Sequence, residues 1–299
     1  MNKRYYWLDV ARVCAMIGTI VIHIACINWY DVPIKPYPFL VYNLYDCIFR
    51  YCVPVFLMIS GFLFLNPERE VTVRKLYSRN IRRLLTAFFF WSFLYAVITS
   101  GFATQRTINA EIAKNFVHNL FYGHYHMWYL YVMLGMYLVT PALRAVAADR
   151  KAMRYFLVIS FLLSYVLPTL QIIPAVYLSA QFTNRIDIKM IAGYSFYYLM
   201  GYYIGSEEFD RKRAVKWYLA ALAGFVITFA STAGMCLWEQ YPDIRMHEYL
   251  TAGVCLFSCG VFVFFKRKFE NVDSQSRWMR VVSYLSSISF GVYLANDFG

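Results

Sequence analysis

The stretch LDVARVCAMIGTIVIH, residues 8–23, decides the fold, because with its flanks it forms an apolar segment long enough to cross a bilayer. The same stretch contains three ionisable residues, Asp9, Arg12 and His23. An ionisable group inside a membrane helix costs on the order of 3 kcal/mol on the insertion scale, so it usually faces a bundle interior or a water-filled cavity. We interpret the stretch as a transmembrane helix with one polar face.

The composition of the whole chain is that of a polytopic membrane protein. Of its 299 residues, 60% are hydrophobic and only 15% are charged, whereas soluble domains carry about 25% charged residues. We predict an all-α membrane helix bundle that forms a single domain over residues 1–299. Because the last apolar segment stops at Gly299 without a polar tail, we expect a tenth span in the full-length protein. The nine predicted spans are 7–28, 44–65, 82–103, 127–147, 155–175, 190–206, 214–237, 248–265 and 280–299.

The distribution of basic residues predicts the orientation in the membrane. Alternate gaps between the spans, together with the N-terminus, hold 21 of the 29 Lys and Arg residues, and the other set of gaps holds six. Cytoplasmic loops carry the excess of Lys and Arg, so we place the N-terminus in the cytoplasm. The net charge of +12 is therefore explained by loops and does not indicate a nucleic-acid partner.

The sequence offers no metal, disulfide or bound-cofactor signature. The seven cysteines lie in or beside apolar segments without a C-x-x-C spacing, so we assign them neither disulfides nor a metal. His124 and His126 lack a third ligand at helical spacing, which argues against a metal there. The chain also lacks the G-x-S-x-G, Walker A and dinucleotide-binding motifs.

Arg12 and His23 share one face of the first span. They are eleven residues apart, which is three helical turns, and the rise per residue separates them by roughly 16 Å along the axis. Asp9 lies one turn before Arg12 and is close enough to pair with it. Two simpler interpretations stay open: Asp9 and Arg12 anchor the helix at the headgroups, or His23 is a core histidine bonded to a neighbouring helix.

Further polar residues lie near the ends of the next three spans. Asp46 and Arg50, spaced i and i+4, are predicted to form an ion pair on the outer side. Ser60 and Gly61 lie near the cytoplasmic side, where small residues also allow close helix packing. Basic residues before the third span suit phosphate contacts. We single out Arg82, Arg83, His126 and Trp128 among these flanking positions.

Five segments of the chain resemble, in this order, the membrane acyltransferase family 3. Its compact, membrane-only members include the O-acetyltransferase of enterobacterial common antigen and the exopolysaccharide modifier of the intercellular-adhesin system. The most specific shared element is the Arg-x10-His pair, matched by Arg12 and His23. One position departs: the family often has a histidine five residues after Gly291, where this chain has Asn296. The matching segments are YYWLDVARVCAMIGTIVIH (5–23), VPVFLMISGFLF (53–64), RNIRRLL (79–85), HMWYL (126–130) and SSISFGVYL (286–294).

This resemblance implies acyl transfer from a cytoplasmic acyl-CoA to a hydroxyl of a surface or lipid-linked glycan, in a bacterial cytoplasmic membrane. Acetyl-CoA or another acyl-CoA would be a co-substrate, with no bound cofactor and no metal. We expect His23 to be a general base or a transient acyl carrier, with Arg12 beside it in the catalytic set. The other predicted roles are CoA binding by Arg12, Ser60, Arg82 and Arg83, acceptor binding by Asp46, Arg50, His126 and Trp128, and support of Arg12 by Asp9.

A second function class remains open from the residues alone. A proton-coupled transporter or a flippase for a lipid-linked sugar would also need a charged track, and inverted repeats would be its signature. No half-to-half symmetry is evident, although Pro168 and Pro174 interrupt the fifth span. The predicted partners are acyl-CoA, a glycan acceptor and membrane lipids. The sequence is compatible with a homo-oligomer and does not distinguish acetyl from succinyl transfer.

Overall fold

The computed structural model describes residues 4–27, 29, 36–100, 109–172 and 188–296, and every regular element in these ranges is helical. The α-helices are α1 (Tyr6–Ile27), α2 (Pro36–Phe49), α3 (Cys52–Leu65), α4 (Val73–Lys75), α5 (Arg82–Thr99), α6 (Ala110–Tyr122), α7 (Trp128–Ala148), α8 (Arg150–Phe161), α9 (Leu167–Gln171), α10 (Ile188–Ser206), α11 (Arg211–Glu239), α12 (Ala252–Phe269) and α13 (Arg277–Ala295). Short π-helices (Leu76–Ile81, Leu162–Val166) and 3-10 turns (Tyr125–Met127, Arg245–His247) connect some of them.

The all-α polytopic fold predicted from the sequence is confirmed. Seven helical segments of the described chain are long and apolar enough to cross a membrane, and each overlaps a different one of the nine predicted spans. The other two predicted spans are the helices α10 and α13, although neither is among the seven. The helices form two compact units. The first unit contains Met1–Arg69 and Leu143–Gly299, and the second contains Glu70–Ala142.

Two helices, α2 and α3, take the place of the second predicted span, 44–65. They begin earlier than that span, at Pro36, and a break at Arg50 and Tyr51 separates them. Pro54 explains the position of the break. Proline lacks an N–H, and its ring clashes with the carbonyl of the residue four positions earlier, which here is Arg50. Regular hydrogen bonding resumes when the Val55 amide donates to the Tyr51 carbonyl at 2.9 Å. The break leaves Arg50 at the end of α2.

The fifth predicted span also departs from a regular helix. It begins at Arg150, where the Asp149 side chain accepts a hydrogen bond from the Lys151 amide at 2.8 Å and caps α8. A π-helical turn over Leu162–Val166 then precedes Pro168, because the missing proline N–H disturbs the bonding of the turn before it. Pro174 and the rest of this predicted span lie outside the described residues.

Helix α6 was not predicted, since its polar residues lower the hydropathy of the segment below that of a span. Its N-terminus is nonetheless well specified, because the Asn109 side chain accepts a hydrogen bond from the Ile112 amide at 2.8 Å. Within the second unit, α6 packs against α5. The aromatic rings of Phe93 and Phe116 meet edge to face in this contact, with centroids 5.9 Å apart.

Close helix packing organises the first unit around α3 and α10. A Cβ added to Gly61 would overlap the carbonyl of Tyr198, and one added to Gly201 would overlap the carbonyl of Met58. The packing role considered for the Ser60–Gly61 pair is therefore confirmed for Gly61. Small residues allow such backbone contact, which is a main source of helix association in membranes.

Two basic side chains from other helices satisfy carbonyls at the ends of α3 and α10. Arg144 donates to the carbonyl of Phe64 at 2.5 Å and to that of Asn66 at 3.2 Å. Lys266, which is 4% exposed, donates to the Gly205 carbonyl at 2.9 Å. The last carbonyls of a helix lack intrahelical partners, and a cation there also interacts favourably with the helix dipole.

Candidate active site

The N-terminal end of the polar face of α1 is a hydrogen-bonded cluster built on Asp9 and Arg12. Ser286 of α13 links the two side chains: its hydroxyl donates to Asp9 Oδ1 at 2.7 Å and accepts from Arg12 at 3.0 Å. The direct Arg12–Asp9 pair is 3.6 Å long, as the one-turn spacing predicted. Arg4 adds a second cation, 2.9 Å from Asp9 Oδ2. Asp9 is buried, whereas the Arg12 side chain is 28% exposed.

The other end of this face carries His23, which is half-buried. Its Nδ1 lies 3.0 Å from Oδ1 of Asn296, the residue that directly follows α13. Arg12 therefore contacts an earlier residue of α13 and His23 a later one, so the two helices run in the same direction. Both side chains face this neighbouring helix, in agreement with the shared face that their spacing predicts.

A second buried polar cluster surrounds Asp46 and Arg50, whose predicted ion pair is confirmed. Asp46 is 1% exposed. His247, from the 3-10 turn before α12, places Nδ1 at 3.3 Å from Asp46 Oδ2. The guanidinium of Arg50 also lies over the ring of Tyr249, 5.4 Å from its centroid, in a cation–π geometry. The cluster thus joins α2 to the segment that precedes α12.

Asn43 orients the imidazole of His247 from the other side. The Asn43 amide nitrogen donates to the Phe229 carbonyl at 3.0 Å, and its Oδ1 lies 2.9 Å from Nε2 of His247. The Cys47 thiol sulfur is 3.4 Å from the same nitrogen. The Trp29 ring packs on the imidazole with centroids 5.3 Å apart. The imidazole therefore has Asp46 on its Nδ1 side and Asn43 and Cys47 on its Nε2 side.

Ser60 belongs to the first unit and is only partly buried. Its hydroxyl donates to the carbonyl of Phe56, one turn earlier, at 2.9 Å. Serine in membrane helices commonly bonds its own backbone in this way. The hydroxyl hydrogen is thus engaged within α3, and the oxygen lone pairs are what it can offer to a ligand. A role of Ser60 in CoA binding stays a prediction.

The second unit holds the remaining predicted site residues. Arg82 and Arg83 open α5 and are both exposed. His126 is 2% exposed, and its Nδ1 lies 3.1 Å from Nδ1 of His124. Trp128 is half-buried at the start of α7. Within the described part of the chain, no three His, Cys, Asp or Glu side chains come together as a metal site requires.

Several residues of these clusters were missed by the sequence analysis, among them Ser286, Asn296 and His247. Ser286, Asn296 and His247 lie far along the chain from their partners, and none stands in a charged pair with helical spacing. A usable signal existed for one of them: Asn296 is a polar residue at the position where the resembled family often has a histidine. Ser286 lies in the matching segment 286–294, but nothing in the sequence pairs it with Arg12 or pairs His247 with Asp46.

Comparison with known protein families gives a match over nearly the whole chain. A family model described as an acyltransferase domain (Acyl_transf_3) matches residues 5–298. Searches among curated proteins and among solved structures returned no match. The match includes the whole of α1, with Arg12 and His23, and the helix α13, whose side these two residues face. With its apolar helices and a family match that spans the described fold, the chain belongs to the Acyl_transf_3 family of membrane acyltransferases.

Proposed function

We propose that this protein is an integral-membrane O-acyltransferase of the bacterial cytoplasmic membrane, which moves an acyl group, most specifically acetyl, from cytoplasmic acyl-CoA to a hydroxyl of a surface or lipid-linked glycan. The observation that carries the proposal is the pair of polar clusters at the two ends of α1. Arg12 is held at one end by Asp9 and Ser286, and His23 at the other by Asn296. A phosphate-binding group and a base thus lie on one helix face.

The donor side of the reaction is assigned to the basic residues. Arg12 remains partly exposed although it is hydrogen-bonded, so its guanidinium can also contact a phosphate. In the second unit, the exposed Arg82 and Arg83 have the same chemistry. The separation of Arg12 and His23, roughly 16 Å along the helix, is of the same order as the length of an extended acyl-pantetheine arm. The thioester would therefore reach towards His23.

The chemical step assigned to His23 is general base catalysis. Nε2 takes the proton of the acceptor hydroxyl as its oxygen attacks the thioester carbonyl carbon. The C–S bond then breaks, and the CoA thiolate takes the proton from the imidazolium, which yields the ester and free CoA. An acyl-histidine route would place the same atoms in two steps. In the general-base route His23 alternates between its neutral and protonated forms, whereas in the acyl-histidine route it alternates between its neutral and acylated forms.

The acceptor side is assigned to the cluster around Asp46 and Arg50 in the first unit. Asp46 and Arg50 combine a carboxylate and a guanidinium, the groups that hydrogen-bond to sugar hydroxyls. For His126 and Trp128, which lie in the second unit, acceptor binding stays a prediction. Whether the acyl group is acetyl or succinyl is decided by the donor that the enzyme accepts, so both donors belong in the test.

The direct test compares cells with and without the intact gene by mass spectrometry of their surface glycans. A difference equal to one acetyl or one succinyl group identifies the transferred group and points to the acceptor. His23→Ala and Arg12→Ala, expressed at matched levels, are expected to abolish or strongly reduce the modification. Full glycan modification in the His23→Ala cells would overturn the proposed mechanism, and an identical glycan without the gene would overturn the function.

The donor assignment has a separate test with purified protein in detergent. The double variant Arg82→Ala, Arg83→Ala is expected to raise the apparent KM for acyl-CoA several-fold, since each loses a charge-assisted phosphate contact. The double variant Arg211→Ala, Lys212→Ala, which removes two exposed cations from the start of α11, is the matched control. An equal KM in both double variants would contradict the assignment. Acyl transfer in detergent, without any gradient, also distinguishes the enzyme from a transporter.

A further inference from the structure

The contact between Asn296 and His23 connects two residues at the same end of parallel helices. Asn296 is the first residue after α13, and its carboxamide oxygen lies 3.0 Å from the imidazole Nδ1. It lies two residues beyond the matching segment 286–294, at the position where the resembled family often has a histidine. We infer that Asn296 is a positioning residue that holds His23 in the tautomer required for catalysis.

The chemistry of the contact selects one tautomer. A carboxamide oxygen can only accept a hydrogen bond, so with the amide oriented as it is in the structure, the Nδ1 of His23 carries the hydrogen. The lone pair of the neutral ring is then on Nε2. This is the nitrogen that the proposed function uses as the base, and the inference rests on that function. The hydrogen-bond partner of one ring nitrogen determines whether the other nitrogen carries the hydrogen or the lone pair.

The unbalanced hydrogen bonding of Asn296 supports a role beyond packing. Within the described residues, the buried Nδ2 of Asn296 has no hydrogen-bond partner. An unpaired buried donor costs about 1–3 kcal/mol, and such groups in folded proteins call for an explanation such as a catalytic role. A side chain with only a structural role would have hydrogen-bond partners for both its amide nitrogen and its amide oxygen. Within the described residues, Asn296 has one only for the oxygen, which contacts His23.

A neutral carboxamide beside His23 affects the protonation of the imidazole differently from a charged carboxylate. A carboxylate at this position would stabilise the imidazolium and would make the base available only at higher pH. An amide orients the ring through the same hydrogen bond without adding a full negative charge in the membrane, where charges are costly. Asn296→Asp therefore separates orientation from charge, because aspartate keeps the acceptor and changes only the charge.

The experiment measures kcat and KM for acetyl-CoA, and the pH dependence of kcat/KM, for purified Asn296→Ala and Asn296→Asp. Asn296→Ala is expected to lower kcat by about tenfold to hundredfold, the range typical of losing an orienting partner of histidine, with KM within about twofold. Asn296→Asp is expected to retain most of the activity while the acidic limb of its profile moves to higher pH. Ser287→Ala, which removes an exposed hydroxyl from α13, is the matched control.

Several outcomes would overturn the inference. A wild-type kcat in Asn296→Ala would do so, as would equal losses in both variants with an unmoved acidic limb, which is the behaviour of a merely structural residue. If Asn296→Ala fails to fold, as judged by size-exclusion chromatography, Asn296→Asp alone decides through its pH profile. An inactive His23→Ala beside a fully active Asn296→Ala would reject this inference and leave the proposed function standing, whereas an active His23→Ala would reject both.

Discussion

Nδ1 of His247 lies 3.3 Å from Oδ2 of Asp46, and both side chains are 1% exposed. Asp46 therefore contacts the guanidinium of Arg50, four residues later, and the imidazole of His247, about two hundred residues later in the chain. Removing one member of a buried ion pair leaves the charge of the other without a counter-charge. The free-energy cost of that is larger than the stability that the intact pair contributes. The stability of the first unit should depend strongly on this carboxylate.

Replacing Asp46 by alanine is expected to destabilise the protein by about 3–5 kcal/mol, because the largely buried Arg50 would lose its counter-charge. Thermal unfolding in detergent measures the effect as a fall in Tm. Glu208→Ala, which removes an exposed carboxylate of the same unit, should leave Tm nearly unchanged. Adding Arg50→Met to Asp46→Ala should restore part of the loss. A double variant as unstable as Asp46→Ala alone would contradict the electrostatic explanation.

Ser286→Ala should weaken binding of the donor without removing the base. The Ser286 hydroxyl accepts from Arg12 and donates to Asp9, so its loss leaves the Arg12–Asp9 pair of 3.6 Å as their remaining link. A hydrogen bond of about 1 kcal/mol corresponds to roughly a fivefold change. We expect the KM for acyl-CoA to rise by about that factor, with kcat little changed. The neighbouring Ser287→Ala is the control, and a matching KM in the two serine variants would argue against this role.

Gly61→Ala tests the packing of α3 on α10. An added Cβ would overlap the Tyr198 carbonyl, and backbone cannot move aside as a flexible side chain can. The expected cost is about 1–3 kcal/mol or more, as for overpacked cores. Gly234→Ala in α11 is the matched control, since a Cβ there meets nothing within 4 Å, and alanine is the better helix former. The two variants should therefore move Tm in opposite directions. A shared direction would show that the α3–α10 contact is not as close as described.

Asp243, in the segment between α11 and the 3-10 turn, provides a prediction for acidic pH. Burial raises the pKa of its carboxyl, but the hydrogen bonds from Arg245 and the charges of Arg245 and His247 together outweigh burial, and the net pKa lies below its ordinary value. The Arg245 amide donates to Oδ1 at 2.8 Å, and Nε donates to Oδ2 at 2.7 Å. A carboxyl whose pKa is lowered on folding contributes stability above its ordinary value and loses it as the pH falls.

The Tm of the wild type should therefore exceed that of Asp243→Asn at neutral pH, and the difference should shrink as the pH falls below about 4. Thermal unfolding of both proteins across a pH series measures this. Asp273→Asn, at an exposed position, controls for a general effect of removing one negative charge. A difference that stays constant down to strongly acidic pH would show that the ionised form of Asp243 is not what stabilises the loop.

Much of the architecture follows from local chemistry. Apolar runs of membrane length form helices, because inside a bilayer the backbone must satisfy its own hydrogen bonds. The polar pairs read from the sequence are separated by one helical turn, as Asp9–Arg12 and Asp46–Arg50 are, or by three, as Arg12–His23 are. Helical geometry alone places the members of each pair on one face. These relationships are present in the structure as predicted. The break before Pro54 is likewise encoded locally, by the proline itself, although the hydropathy of the segment runs through it without a change.

What only the tertiary structure decided is which distant residue meets each polar group. Ser286 and Asn296 reach Arg12 and His23 because α13 packs alongside α1 in the same direction, and His247 reaches Asp46 because its 3-10 turn lies against α2. Such contacts depend on the packing of helices far apart in the chain, and no periodicity in the sequence records them. The sequence by itself determined the helices and the polar face of α1, whereas helix packing determined the partners that orient its arginine and histidine.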